Sequence, residues 1–236
     1  MKTIKIAHLY YDLMNLYGEN GNVRYLKKKL EDQDVEVKVY FLSVDDEIDF
    51  SKYDIYYIGT GSEDNQKIVL EDIMKYKDDI KKAIDGNKYF IATGNSLELF
   101  GKEIIGKDKI KCLDIFNYTA TVNKDRIVGE QLYSSNLIDK KIVGFQNRVC
   151  TLDNLDNTIF NVTEGSGYNK KNMTEGFRIN NFIGTYLLGP ILVRNPYLCD
   201  YFIKDIFNSL KINYNKPNYN DTDYKAYNEY MKNFYE

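Results

Sequence analysis

The sequence predicts an α/β fold: a mostly parallel sheet flanked by helices, with an antiparallel extension and C-terminal helices. Three observations carry this. Up to about residue 100, short β-rich apolar runs alternate with segments of helical period, the pattern of parallel strands joined by crossover helices. Past residue 105, strand-like segments follow one another with little helix between them, which predicts hairpins extending the same sheet. From residue 196 the helical period returns.

Taken in order, TIKIAHLY (3–10) is apolar and β-rich and reads as a buried first strand. After a polar loop containing YGENGN, Val23, Leu26 and Leu30 fall at helical spacing among lysines. VEVKVYFLS (35–43) alternates like a half-buried strand near a sheet edge. YDIYYIGTG (53–61) is a strand ending in a glycine-rich turn. Val69, Ile73, Tyr76, Ile80 and Ile84 mark one face of a long amphipathic helix. KYFIATG (88–94) is the next strand, and IATGNSLELFG (91–101) carries it through a tight turn into a short helix. KIVGFQN, TIFNVTEG and GFRINNFIGTYLLG are the later strand-like segments. PYLCDYFIKDIFNSL (196–210) is a helix with Pro196 near its first turn and Leu198, Phe202, Ile206 and Leu210 on one face. A polar link around Pro217 leads to a last helix striped with Tyr224, Tyr227, Met231 and Phe234. No internal repeat or long linker divides the chain, so one domain is expected over residues 1–212, with a linker and helical tail over 213–236.

Composition narrows the function classes. The chain has 236 residues, and its 32 basic against 35 acidic residues give a net charge of −3, which excludes bulk attraction to nucleic acid. Lys2 and Lys5 flank too short an apolar run for a signal peptide. No apolar stretch reaches the ~18 residues that would insert across a membrane. Cys112, Cys150 and Cys199 form neither a disulfide framework nor a metal spacing. A reduced, cytoplasmic protein with no metal and no cofactor is the expectation.

Three glycine-bearing segments fall at the C-terminal ends of predicted strands: GTGSEDNQ (59–66), TGNSLELFG (93–101) and GFQN (144–147). Ligands bind at those ends in open α/β sheets. A fourth, GTYLLGPILVRNP (184–196), precedes a helix. In this order, and with HLYYDLMNLYGENGN (8–22) before them, they resemble the class I (triad) glutamine amidotransferases of the cobyric-acid-synthase-like branch. Within that branch the resemblance is to the GatD-type glutaminase subunits of lipid II isoglutaminyl synthase. Those carry L-Y-x-D-x-x-N-L-Y-G-D-x-G-N, G-G-G-x-D-x-x-Q, G-F-E-N-H-G-G and G-T-Y-L-H-G-P-x-L-x-x-N-P. The resemblance covers nearly the whole chain and implies a class I amidotransferase-like (flavodoxin-like) sheet. It also implies glutamine hydrolysis by a Cys–His pair, with ammonia passed to a Mur-ligase-like synthetase that amidates a peptidoglycan stem peptide.

The chain departs from that pattern where the chemistry sits. The family elbow, C-G-G-Y-Q-x-L-G, aligned with its last glycine on Gly101, puts the cysteine at Gly94 and the glutamine at Glu98. The family histidine falls on Leu188, and H-G-G after the G-F-E-N segment becomes Arg148, Val149 and Cys150. No catalytic residue of the family pattern is then intact. Loss of both partners together is what relaxed selection for hydrolysis produces. Glycine reaches the backbone conformation of an elbow without a Cβ clash, so Gly94 is expected to keep the turn. Leu188 is expected to fill part of the former site, leaving the pocket repurposed or closed. Candidate ligand-binding residues are Gly59, Gly61, Ser62, Asn95, Glu98, Asn147 and Arg148. GTGS (59–62) can present backbone N–H groups to an anion or carbonyl, with Arg148 adding positive charge. Glu98 is placed either to cap backbone N–H groups near a helix start or to bind an amine. Thr93 and Ser96 carry hydroxyls but lack an evident base. Cys112, in a strand-like segment, and Cys199 read as small buried hydrophobes, His8 as structural or pocket-lining, and Cys150 falls in a loop that the resemblance sets facing the former active site.

The resulting expectation is a GatD-like subunit of lipid II amidation that lacks glutaminase activity and forms a heterodimer with a Mur-ligase-like synthetase. Glutamine or a related small molecule stays open as a ligand. Two other readings stay open: an active glutaminase using unconventional residues, such as Cys150 with His8 as base, and a module that binds an amino acid or cell-wall precursor at residues 59–66 and 94–98.

Overall fold

The central strands bury both faces, and helices of two separate groups cover them. The computed structural model describes residues 3–169 and 171–235, so Lys2, one of the two lysines weighed against a signal peptide, lies outside the described residues. The chain opens with β1 (Thr3–Leu9), a 3-10 turn at Leu16–Gly18, α1 (Asn20–Glu31), β2 (Glu36–Leu42) and β3 (Ile55–Ile58). It continues with α2 (Glu63–Ile73), α3 (Lys77–Asp85) and β4 (Tyr89–Thr93). Then come β5 (Glu103–Ile105), β6 (Lys109–Lys111), β7 (Thr119–Ser135), β8 (Ile142–Asp153), β9 (Thr158–Glu164), β10 (Thr174–Ile179) and β11 (Phe182–Thr185). Three helices close it: α4 (Ile191–Arg194), α5 (Pro196–Leu210) and α6 (Thr222–Phe234).

These strands form one sheet in the order β2-β1-β3-β4-β11-β10-β9-β7-β5-β6, with β8 on β7. The first four neighbours along that path pair in parallel, as the β/α alternation predicts. From β11 onward the sheet turns antiparallel, apart from the β5–β7 pair. Because side chains alternate along a strand, Ile4 and Ile6 join the core under α1 and α5, where Leu26, Leu30, Leu198 and Phe202 lie. Ala7 and Leu9 join the opposite core, with Val69, Ile73, Ile80 and Ile84 of α2 and α3. VEVKVYFLS forms an edge strand as its alternation indicates.

Four expectations are corrected. The long helix read from Val69 to Ile84 breaks at Met74–Tyr76. There Tyr76 turns to pack on Phe50 and donates its hydroxyl to the Asp46 carbonyl. The short helix after the elbow is a 3-10 segment, Gly94–Phe100. The Ser96 hydroxyl donates to the Thr93 and Ile58 carbonyls, and Tyr118 donates to the Leu97 carbonyl, which takes these groups out of an α-helical ladder. GFQN lies inside β8 rather than at a strand end, and Cys150 is in that strand rather than a loop. Both follow from β7, seventeen residues long, which pairs β8 along most of its length across a bulge between Val122 and Ile127.

The tail is packed rather than trailing. Tyr227 and Met231 of α6 bury against Leu132 and Val143, and Asp223 pairs with the buried Lys29 of α1 at 3.3 Å.

Candidate functional site

Parallel pairing of β3 with β4 sets the turns that follow them side by side at the C-terminal end of the sheet. Gly94 stands at the tip of the second turn with φ +62°, the left-handed region open to glycine. The elbow is therefore kept. Leu188 reaches it because residues 185–190 bridge back to β8: the Phe145 N–H donates to the Leu188 carbonyl at 3.2 Å, and the return bond is 2.8 Å. Leu188 and Phe145 thereby bring the third and fourth motifs to the first two.

A Cβ added at Gly94 would overlap Cβ and Oγ1 of Thr60 and lie 2.8 Å from Cδ2 of Leu188. Thr60, at the middle glycine of the family's G-G-G pattern, thus occupies the volume in which an elbow side chain would start. The neighbouring backbone donors are occupied as well. Gly61 N–H donates to Asn95 Oδ1 at 3.0 Å, and Asn95 N–H donates to Thr60 Oγ1 at 3.2 Å. The Asn95 amide in turn donates to the Gly61 carbonyl at 3.0 Å. The expected presentation of free N–H groups by GTGS is corrected at Gly61, since Asn95 takes that donor.

Beside this knot lies an open cleft of about 420 Å³. Its wall includes Gly61, Ser62, Asn95, Glu98, Asn147 and Arg148, so six of the seven candidate ligand-binding residues meet there. Gly59 does not line it and packs instead against Met14 and Glu19. A closed pocket is not what the structure contains. The cleft lies to the side of Gly94 and Leu188, neither of which lines it.

Glu98 is buried at the cleft's inner wall. Its Oε2 accepts from Gln66 Nε2 at 2.9 Å and its Oε1 from the Tyr186 hydroxyl at 3.0 Å, with the Cys150 thiol nearby on the same wall. The idea that it caps backbone N–H groups is corrected, since its donors are side chains. Burial raises the Glu98 carboxyl above the usual carboxylate range, and the Gln66 and Tyr186 donors offset part of that rise. Burial likewise pushes the Cys150 thiol far up, with the Glu98 charge adding to it, so Cys150 is no ready nucleophile.

Arg148 is buried and committed. Its guanidinium donates to Gln146 Oε1 at 3.0 Å, to the Gly167 carbonyl at 2.6 Å and to the Cys150 carbonyl, and it stacks 4.2 Å from the Tyr186 ring centre. The expectation that it lends a free charge to the GTGS turn is corrected. At the cleft mouth, Tyr17, Asn147, Arg126 and Glu63 form a strap. Asn147 donates to the Tyr17 hydroxyl at 2.7 Å and accepts from Arg126 at 2.9 Å, while Arg126 pairs with Glu63.

Other singled-out groups lie elsewhere or are spent. His8 is buried among the rings of Tyr57, Tyr11 and Phe41, none of which lines the cleft, so it is not paired with Cys150. Desolvation lowers its imidazole to about 4. Thr93 donates to the carboxylate of Glu19, as does Tyr57 at 2.6 Å, directly beneath the elbow. Burial pushes the Glu19 carboxyl up to about 7 against the pull of those two hydroxyls. Cys112 and Cys199 are buried, as read, although Cys112 follows β6 rather than lying in a strand.

Thr60, Gln66, Tyr186, Glu19 and the Arg126–Glu63 pair were not singled out from sequence. Gln66 closes a quoted motif and could have been. Thr60 carried a signal only as a departure from triple glycine. Among the described residues no group of His, Cys, Asp and Glu forms a metal site, and no helix is long and apolar enough to cross a membrane.

Residues 5–196 match the family described as the CobB/CobQ-like glutamine amidotransferase domain. The chain is 29% identical over 206 residues to the lipid II isoglutaminyl synthase (glutamine-hydrolyzing) subunit GatD of Staphylococcus aureus, covering 86% of this chain and 84% of that one. It is 32% identical over 201 residues to the subunit of the same name from Streptococcus pneumoniae, covering 83% and 77%. Among solved structures it is similar to a glutamine amidotransferase from Thermotoga maritima (TM-score 0.51, 11% identity, 90% of this chain and 87% of that one). A second glutamine amidotransferase structure gives a TM-score of 0.57 at 14% identity, over 85% and 98%. Those two establish the fold alone.

Proposed function

We propose that this chain, which belongs to the CobB/CobQ-like glutamine amidotransferase family, is a GatD-like subunit of lipid II amidation that does not hydrolyse glutamine. In this reading it serves in the cytoplasm as the structural or regulatory partner of a Mur-ligase-like synthetase. The GatD relatives are named as subunits of an isoglutaminyl synthase, which supports a role within a complex. The observation that carries the loss of hydrolysis is the crowding at Gly94. The elbow has no side chain, Thr60 and Leu188 occupy the space for one, and Gly61 and Asn95 N–H groups that could hold an oxyanion already donate internally. No imidazole lines the cleft, and burial beside Glu98 keeps Cys150 a protonated thiol.

The partner would dock at the cleft mouth, where Leu16, Tyr17, Val122 and Val128 are exposed apolar residues beside the strap. Affinity capture of the tagged protein from its native host is expected to recover a Mur-ligase-like protein in stoichiometric amount, and the complex is expected to release no glutamate from glutamine. Glutamate release dependent on Cys150 would instead establish the unconventional glutaminase. The open cleft favours a second reading, a free-standing module for a small molecule, which capture of no partner would support.

A further inference from the structure

The charged groups of the cleft divide unevenly. Arg126 is paired with Glu63 and hydrogen-bonded to Asn147. Lys67 pairs with Asp64 at 3.1 Å, outside the cleft wall. Arg148 spends its N–H groups on carbonyls and Gln146. The two arginines are therefore committed, while Lys67 is held only in an exposed pair, so no buried cation of the cleft wall is free for an anionic ligand. Glu98 is the exception. It is a buried carboxylate on the cleft wall that forms no ion pair among the described residues. Its two oxygens offer about four acceptor positions, and Gln66 and Tyr186 fill two.

The rest of the wall states what surrounds that position. Leu70 of α2, Ile104 and Ile110 of β5 and β6, Val122 of β7 and Val149 of β8 give an apolar side to the cleft. Such a side does not suit a wholly polar occupant, because it would strip water from polar atoms without replacing their hydrogen bonds. It suits a short hydrocarbon chain.

We infer that the cleft binds a primary ammonium group carried on a short apolar chain, with the ammonium against Glu98 and the chain against Ile104, Ile110, Val122 and Val149. A bound ammonium gives Glu98 a direct ion pair, which Arg148, whose charge acts on it without a salt bridge, does not, and fills a remaining acceptor position with a charge-assisted hydrogen bond. The inference rests on the reading of the cleft as a site without a nucleophile. It differs from that reading in assigning the cleft an occupant.

The test is a titration of the intact protein at pH 8 with n-butylammonium chloride, with 1-butanol and sodium butyrate as neutral and anionic isosteres, followed by calorimetry and thermal shift. Butylammonium is expected to bind one per chain, at least about tenfold more tightly than either isostere, from the typical strength of a hydrogen bond to a charged group. Glu98→Gln, which preserves shape, is expected to weaken it by a similar factor. Val122→Trp, at an exposed wall position, is expected to block the cleft with Glu98 intact. Equal binding of all three probes, no binding of butylammonium, or full binding by Glu98→Gln or Val122→Trp overturns the inference. Glutamate release from glutamine is scored separately on the same protein. Turnover there overturns the non-hydrolysing reading whatever the amine titration gives.

Discussion

Thr60 and any side chain at position 94 compete for one volume, so the two positions are energetically a pair. Gly94→Ala adds a Cβ at φ +62°, costing ~1 kcal/mol for the left-handed backbone and ~1–3 kcal/mol for the overlap with Thr60. Denaturant unfolding is expected to show that combined loss. Thr60→Gly in the same chain should return about 1 kcal/mol or more as coupling in a double-mutant cycle. Gly94→Cys with Leu188→His is accordingly expected not to restore hydrolysis, since Thr60, Glu98 and residues 148–150 remain. Glutamate release at a family-like rate from that double variant in its complex would count against a remodelled site. Glu19 gives a second residue-level expectation. Its folded pKa, about 7, lies above the ordinary 4.5, so the charged form is the costly one. Stability is fully present below pH 4.5 and falls as the pH rises through 7, by roughly 3 kcal/mol. Glu19→Gln should therefore gain on the parent protein between pH 5 and pH 8 in thermal melts. His8 acts in the opposite sense: its pKa is depressed to about 4, so stability is lost as the pH falls from 6.5 through 4.

At the scale of elements, α6 is tied to α1 and α5 by a buried polar cluster. Tyr224 donates to Asp200 at 2.7 Å and accepts from Lys29 at 2.9 Å, while Asp223 takes the same lysine and the Tyr25 hydroxyl. Removing one partner leaves a buried charge short of a hydrogen bond, so Tyr224→Phe is expected to cost ~1–3 kcal/mol in denaturant unfolding. An unchanged midpoint would mean that water replaces the hydroxyl. The helices and the parallel strands were legible because their periods are local. β7 was not: most of its middle, Val122–Glu130, is exposed, and NKDR carries no apolar alternation. What makes it a strand is the ladder it forms with β8, β9 and β5, and pairing across such distances leaves little local trace. The break at Tyr76 was hidden for the reverse reason, since the apolar spacing continues straight through a turn that only Phe50 and Asp46 impose.

Across the whole molecule, the cleft mouth combines an apolar rim with the Tyr17–Asn147–Arg126–Glu63 strap, which is where the proposed partner meets the chain. Leu16→Asp with Val128→Asp, both at exposed positions, should abolish co-purification of that partner while leaving the melting temperature within a degree or two, as for surface changes generally. Loss of the partner together with a large drop in melting temperature would mean that the rim serves folding instead.

The sequence by itself determined the alternation of the parallel strands with their helices, the parallel half of the sheet and the meeting of the turns after β3 and β4. Periodicity sets the elements, and a parallel α/β sheet delivers its loops to one end. It also placed Gly94 at an elbow, a demand on φ that glycine answers locally. Only the tertiary structure decided that Thr60 fills the place of the missing side chain, that Asn95 occupies the Gly61 N–H, that Arg148 is spent and that Glu98 has no directly paired cation among the described residues. Each of these depends on which atoms from distant segments share a few ångströms. Spacing along a chain carries that information only once the fold has closed.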